Sequence, residues 1–123
     1  MKQPVVAVLD ADALIPILSC DVLLTMFEVD LYLPVVTDVI LDEVERNLIT
    51  IHPHIDPAAL RRRVAQMRTA LDSHIQGVGD ANAIDIMDVN AKDRHVIAAA
   101  MTNRATLVVS NDRRLRGEIN ARA

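Results

Sequence analysis

Apolar residues in this chain are arranged either in short continuous runs or with helical periodicity. Residues 5–9 form an uninterrupted apolar run that predicts a strand buried on both faces. Residues 31–36 and 106–110 predict two further strands. Elsewhere, apolar positions recur every three or four residues, which is typical of helices. This alternation predicts an α/β domain with a mainly parallel central sheet.

Helices are predicted between these strands. Thr37 can provide the N-cap oxygen of one helix, and at the start of another Asp56 precedes Pro57, a residue favoured in the first helical turn. Gly77 and Gly79 interrupt the helical pattern. The predicted helices cover residues 13–27, with a break near Pro16 and Ser19, residues 38–49, residues 56–74, and a segment that begins with Asp93 as its cap.

Composition narrows the class of protein. At 123 residues and 51% hydrophobic content, the chain has the size and apolar content of one domain. No apolar run approaches the ~20 residues that cross a bilayer, so we expect a cytoplasmic protein with no membrane contact. The one cysteine, Cys20, excludes an internal disulfide, fits a reducing compartment and is expected to be a buried small hydrophobe.

Charge and aromatic content limit how the chain could bind nucleic acid. The net charge of −4 and the pI of about 5.4 argue against coating nucleic acid by general electrostatic attraction. These values do not exclude a nucleic-acid enzyme, because metal ions offset the charge of the acids around them. Aromatic residues make up 2% of the chain, so base stacking is not expected.

Acidic residues follow the predicted strands and begin an adjoining helix. Asp10 and Asp12 come after the first strand, and Asp112 follows the last one. Because the carboxyl ends of parallel strands meet at one edge, these acids are expected to lie close together, with Asp93 and Glu43 joining them from helices. Converging carboxylates repel one another, and Mg²⁺ or Mn²⁺ is the simplest compensation. The pattern therefore predicts a metal site for phosphate chemistry.

Four motifs in this order resemble those of the PIN domain, in particular the VapC-like toxins of bacterial toxin–antitoxin pairs. The resemblance spans residues 5 to about 115. The motifs are Val8–Leu9–Asp10–Ala11–Asp12, Ile40–Leu41–Asp42–Glu43–Val44, Lys92–Asp93–Arg94–His95–Val96 with Ala98–Ala99–Ala100, and Val108–Val109–Ser110–Asn111–Asp112.

The resemblance implies a three-layer α/β/α fold and a metal-dependent ribonuclease that cuts single-stranded RNA. The family's acidic positions correspond to Asp10, Glu43, Asp93 and Asp112, which would be catalytic and would bind Mg²⁺ or Mn²⁺. Asp112 is favoured over Asn111 at the fourth position because a carboxylate adds charge. Asp12 stands where the family has Asn or Ser, and would either bind metal or organise the loop.

The resemblance also has implications for the binding partners of the protein and for the length of the domain. The resemblance implies a protein antitoxin that blocks the site, and a homodimer formed through an apolar helix face. Candidate residues for that face are Leu14, Leu18, Leu23 and Leu24. The family usually continues into one more strand after its last acid, so we expect a single PIN-like domain over residues 1–123 whose last strand is missing or supplied by a partner.

Each acid taken alone has a simpler interpretation. Asp10 and Asp12 suit a turn or cap at a strand end, and Asp93 suits a helix cap. Glu43 alone suits a solvated acid or an ion pair with Arg46. The concurrence of the acids favours a shared site.

Two other functions compete with the ribonuclease. Asp10 and Asp12 resemble the nucleophile and general acid of a haloacid dehalogenase-type phosphatase. That class needs a lysine and a nearby hydroxyl residue, whereas this chain has only Lys2 and Lys92, and Ala13 and Leu14 follow the acids. The second alternative is a PIN-like fold that lost activity and serves as a binding module.

Basic residues supply candidates for RNA contacts. The first choice is the group next to the last acid: Arg113, Arg114 and Arg116. For a second cluster a solvated helix face is favoured over phosphate binding, and its members are Arg61, Arg62, Arg63 and Arg68. His95 is expected to pack or hydrogen-bond near the site rather than act in acid–base catalysis.

Overall fold

The computed structural model describes residues 4–76 and 94–111. Strands and helices alternate along the described chain, as the hydrophobic pattern predicts. The elements are β1 (Val6–Leu9), α1 (Ala11–Leu14), α2 (Ile17–Glu28), β2 (Leu33–Thr37), α3 (Asp38–Ile51), α4 (Pro57–Ala70), a 3-10 turn (Asp72–His74), β3 (Ile75–Gln76), α5 (Arg94–Thr102) and β4 (Leu107–Val109).

The four described strands form one parallel sheet in the order β3-β2-β1-β4. Val8 of β1 pairs with Val35 on one side and with Val108 on the other, which places β1 inside the sheet. Ala7, Val8 and Leu9 are all buried, as the continuous apolar run predicts. The carboxyl ends of β1, β2 and β4 therefore lie at the same edge of the sheet.

Helices flank this sheet, consistent with the predicted three-layer α/β/α class. The α3 helix buries the apolar face that the sequence periodicity defines, and it packs against α1 and α4. The α5 helix buries its apolar residues from Val96 to Ala99 and packs against β1 and β2. The resulting core is formed by both helical and strand residues, and it includes Cys20, which is buried as predicted.

Capping rules correctly predicted the starts of α3 and α4, whereas the first helix begins at Ala11 rather than at residue 13, because Asp10 caps it. Thr37 accepts a hydrogen bond from the backbone N–H of Ile40 (3.1 Å), and Asp56 accepts one from that of Ala58 (3.0 Å). The predicted break near Pro16 is confirmed, since α1 ends at Leu14 and α2 begins at Ile17.

Other boundaries differ from the prediction. Ser19 lies inside α2, where its hydroxyl donates to the carbonyl oxygen of Ala13 instead of ending the helix. The second strand begins at Leu33 rather than at residue 31, because residues 30–31 close the end of α2. Helix α4 ends at Ala70, and the predicted residues up to 74 form the 3-10 turn and its junction.

Two arginines of α4 are not the solvated residues that were expected. One guanidinium nitrogen of Arg63 donates to the carbonyl oxygens of Leu14 (3.2 Å) and Ile15 (2.7 Å), where α1 ends. Arg68 forms ion pairs with Asp38 and Asp42 of α3. Both side chains therefore join α4 to its neighbours, a result that helical periodicity cannot predict.

None of the helices in residues 4–76 and 94–111 has the length and apolar character needed to span a membrane.

Candidate acidic site

Asp10 lies directly after β1, at the carboxyl edge of the sheet. Only 6% of the residue is exposed. Its Oδ1 accepts a hydrogen bond from the backbone N–H of Ala11 (2.8 Å), and its Oδ2 accepts one from the hydroxyl of Ser110 (2.8 Å). Asp10 thus caps α1, as its simpler interpretation predicted, and it also presents a buried carboxylate to the sheet edge.

Ser110 is a site residue that the sequence analysis did not predict. It follows β4 directly and is buried. Leu9 and Val109 are register partners, so the next residues, Asp10 and Ser110, emerge side by side from neighbouring strands. The backbone N–H of Asp10 also donates to the carbonyl oxygen of Val109 (2.9 Å). Strand register, which the sequence did not reveal, places this hydroxyl on the acid.

Opposing effects act on the carboxyl group of Asp10. Burial raises its pKa above the ordinary value, and the hydrogen bonds from Ser110 and Ala11 lower it. The negative charge of Glu43 raises the pKa further, and His95 lowers it. Asp10 therefore lies in the electrostatic field of both side chains, which come from α3 and α5.

Glu43 and His95 are in direct contact. The distance between Oε1 of Glu43 and Nε2 of His95 is 3.3 Å, and the two side chains are 25% and 14% exposed. This contact replaces the solvated position or Arg46 pair that Glu43 alone would suggest. It confirms the predicted hydrogen-bonding role of His95, and it brings the start of α5 to the acidic residue of α3.

Asp12 and Asn111 lie at the same edge of the sheet and are joined by a hydrogen bond. The amide nitrogen of the Asn111 side chain donates to the main-chain carbonyl of Asp12 (3.1 Å). Asp12 lies in α1 and is partly buried. This bond connects the end of β4 to the first helix, two residues from Asp10.

The remaining predicted site residues, Asp93, Asp112, Arg113, Arg114 and Arg116, lie outside the described residues. Within the described part of the chain, no group of three His, Cys, Asp or Glu residues is placed to hold a metal ion. Two predicted ligands, Asp10 and Glu43, are close enough to interact electrostatically. Their oxygens suit Mg²⁺ or Mn²⁺, and each Asp10 oxygen keeps a lone pair beyond its one described hydrogen bond. The donor chemistry fits such an ion, with further ligands needed beyond these two.

The fold and this site define an α/β protein with a buried acidic centre at the carboxyl edge of a parallel sheet. Comparisons of the chain with protein-family models, curated proteins and solved structures gave no match.

Proposed function

We propose that this protein is a PIN-like endoribonuclease that uses Mg²⁺ or Mn²⁺ to hydrolyse RNA phosphodiester bonds. The observation that carries the proposal is the buried carboxylate of Asp10 in the field of Glu43, at the sheet edge where ligands of α/β proteins bind. Two negative groups held near one another call for a compensating cation.

Sequence neighbours of the two remaining acids support a larger site. Asp93 immediately precedes α5, and His95 in the first turn of that helix contacts Glu43. Asp112 is two residues after Ser110, which binds Asp10. We therefore propose Asp10, Glu43, Asp93 and Asp112 as the metal-binding and catalytic acids.

The chain's own residues would prepare the site for hydrolysis. Ser110 and the backbone of Ala11 fix both oxygens of Asp10, so the carboxylate needs little reorganisation when it binds an ion. His95 orients one oxygen of Glu43. A bound divalent ion would lower the pKa of a water molecule and offset charge on the phosphate.

Substrate and partner residues complete the proposal. Arg113, Arg114 and Arg116 are proposed to contact RNA phosphates. A protein antitoxin and a homodimer belong to the same hypothesis. Of the leucines suggested for a dimer face, Leu14 is buried in the core, Leu23 and Leu24 pack against it, and only Leu18 is exposed.

RNA cleavage by matched variants tests the function. Purified wild type, Asp10→Asn, Glu43→Gln and Asp93→Asn are incubated with single-stranded and structured RNAs in Mg²⁺, Mn²⁺ or EDTA. We expect metal-dependent cleavage of single-stranded RNA by the wild type, and a loss of about 100-fold or more in each variant, since even residues that only support a ligand cost 10- to 100-fold.

The control is Glu45→Gln, which makes the same chemical change two residues further along α3 and should retain wild-type activity. Cleavage that survives EDTA, or that the acid variants retain, would contradict the metal mechanism. Absence of cleavage, combined with tight RNA binding, would favour the inactive binding module.

A further inference from the structure

Helix α2 carries apolar residues on both of its sides. Its inner side packs on the core through Cys20, Leu23, Leu24 and Phe27. Its outer side exposes three large apolar side chains: Leu18 is 77% exposed, Val22 49% and Met26 37%. A surface helix normally has polar residues on the side away from the core. The apolar residues on the outer side of α2 therefore need another explanation.

These three side chains form a row. Residues four apart in a helix lie one above the other, so Leu18, Val22 and Met26 follow one another along the helix. Val29 and Leu31, just beyond the helix end, are exposed as well. We call Leu18, Val22 and Met26 the outer row of α2. Single exposed hydrophobic residues are common, but a contiguous row is typical of an interaction surface.

The charged residues that α2 and its C-terminal end contribute are all acidic. Asp21 and Glu28 are exposed on α2, and Asp30 follows it. The sequence contains no Lys, Arg or His from residue 3 to residue 45, although it has nine Asp and Glu residues there. The surface is consequently apolar and acidic, with no cation contributed by its own segment.

This charge pattern distinguishes between occupants. A second copy that presented the same helix would bring more carboxylates against Asp21 and Glu28, and its α2 has no cation to pair with them. A partner with apolar residues flanked by Lys or Arg would satisfy both the outer row and the acids. A helix is the partner element that fits best, because rows of side chains four apart pack into the grooves of another helix.

We propose that the outer row of α2 docks an amphipathic helix of a partner protein, with apolar residues three and four positions apart and Lys or Arg beside them. The inference is independent of the proposed ribonuclease activity, because α2 contributes no described residue to the acidic site, and it assigns Leu18 to a partner protein instead of to a dimer face.

Synthetic peptides test this proposal directly. The probe is a labelled helical peptide with Leu at positions i, i+4, i+7 and i+11 and Lys on both flanks, titrated with the full chain by fluorescence anisotropy. Two comparison peptides have the same composition in scrambled order, or Glu in place of Lys. We expect the Lys-flanked peptide to bind about 10-fold more tightly than either, a difference of about 1.4 kcal/mol.

Variants of the chain identify the binding surface. The double variant Leu18→Ser and Val22→Ser should weaken binding about 10-fold or more. The control Ile51→Ser and Ile55→Ser removes two exposed apolar side chains elsewhere and should not change binding. The double variant Asp21→Lys and Glu28→Lys retains the apolar row and should reverse the preference, so that the Glu-flanked peptide binds more tightly.

Three results would overturn the proposal. Equal binding of all three peptides, or binding that neither pair of α2 variants affects, would show that the outer row is not a docking surface. A wild-type dimer in sedimentation experiments that Leu18→Ser converts to a monomer would show that a second copy occupies it.

Discussion

At the scale of single residues, Asp10 combines a structural and a chemical role. Its carboxylate caps α1 through Ala11 and receives the hydroxyl of Ser110, and these bonds offset part of the cost of burying the charge. The raised pKa shows that the offset is incomplete. A buried carboxylate of this kind lowers the stability of the metal-free protein, and it favours the binding of a cation.

This cost predicts a pH-dependent effect of Asp10→Asn. Because the folded state raises the pKa of Asp10, its favourable contribution is complete below the ordinary value of 3.8 and is lost as the pH rises through the raised value. Asn can still accept from Ala11 and can donate to the Ser110 oxygen. The variant should therefore be more stable than the wild type at pH 7, and this advantage should vanish near pH 3.

Urea denaturation across this pH range measures the difference, in buffers that contain EDTA. Glu28→Gln, which changes an exposed acid, is the control and should show no comparable trend. A variant that is less stable than the wild type at pH 7 would contradict the assigned burial cost.

His95 gives a second prediction at this scale. Its Nδ1 is buried, and no hydrogen-bond partner for it is found among the described residues, so the ring proton is assigned to Nε2, where it can be donated to Glu43. If this bond orients a metal ligand, His95→Ala should weaken Mn²⁺ binding by about 10-fold or more. His95→Gln, which keeps an N–H donor, should recover part of the affinity.

Isothermal titration with Mn²⁺ measures this effect without any need for RNA cleavage. His74→Ala is the matched control, because the only described contact of the His74 side chain is with the Phe27 ring, and its loss should not affect the metal. If His95→Ala binds Mn²⁺ as tightly as the wild type does, His95 does not orient a metal ligand and only packs beside Glu43.

Sequence reasoning singled out Asp10 and Glu43, but it did not predict Ser110 or the contacts that these side chains make. Asp10 was predictable because a buried strand ends at it, and Glu43 because it falls within a helix motif. The hydroxyl of Ser110 was not, since its position depends on the pairing of β1 with a strand 100 residues further on. The contact of Glu43 with His95 similarly depends on how α3 and α5 pack.

At the scale of elements, the N-terminus of α3 positions Glu43. Thr37 ends β2 and caps α3, and its side chain is fully buried. The cap fixes the start of the helix, and the helical turn then determines where Glu43 lies. This start was predictable because a capping oxygen and its N–H donor are three residues apart in sequence.

Removal of this cap should destabilise α3 without a change in core volume. Thr37→Val keeps the shape but leaves the N–H of Ile40 buried without its acceptor, which should cost about 1–2 kcal/mol. Thr37→Ser keeps the hydroxyl and loses only a methyl group. Hydrogen exchange of the Ile40 amide should accelerate in the Val variant and not in the Ser variant, and equal exchange rates in the two would contradict the capping role.

Helices α2 and α5 both end at a residue in the left-handed conformation, which the sequence did not predict. Asp30 and Arg104 have positive φ values of 61° and 54°. At the end of α5, the N–H groups of Arg104 and Ala105 donate to the carbonyls of Met101 and Ala100, and α2 ends in the same way. Glycine is the usual residue at this position, and because neither helix has one, the sequence did not mark these ends.

Arg104→Gly should therefore stabilise the protein. Glycine adopts the left-handed conformation without the strain that a Cβ atom imposes, and we expect a gain of about 0.5–1 kcal/mol after the loss of chain entropy is included. Arg104→Ala, which removes the charge but retains Cβ, should give no such gain. Equal stability of the Gly and Ala variants in urea denaturation would contradict the explanation.

At the scale of the whole molecule, strand order brings distant residues to one edge. The sequence predicted an α/β class with a mainly parallel sheet, because alternation of strands and helices is a local pattern. It did not give the order β3-β2-β1-β4, nor β3 itself, whose two residues are too few to form a hydrophobic pattern. The same order places the ends of β1 and β4 together and so creates the pair of Asp10 and Ser110.

This arrangement predicts that Mn²⁺ stabilises the folded protein as a whole. An ion that binds only the folded state raises its stability by about 2.7 kcal/mol at 100 times its Kd. The wild type should therefore show a Tm that rises with Mn²⁺ concentration and returns to its starting value in EDTA. Asp10→Asn should start from a higher Tm at pH 7 and gain little from Mn²⁺, so that the order of stability reverses as the metal is added.

The reversal separates a metal site from two alternatives. If Asp10 is only a cap, both proteins should respond equally to Mn²⁺, and the Asn variant should remain the more stable one throughout. If Mn²⁺ binds unspecifically to surface acids, Glu28→Gln should reduce the response as much as Asp10→Asn does. Only a site that uses the buried carboxylate predicts that the variant with the more stable empty form becomes the less stable one in metal.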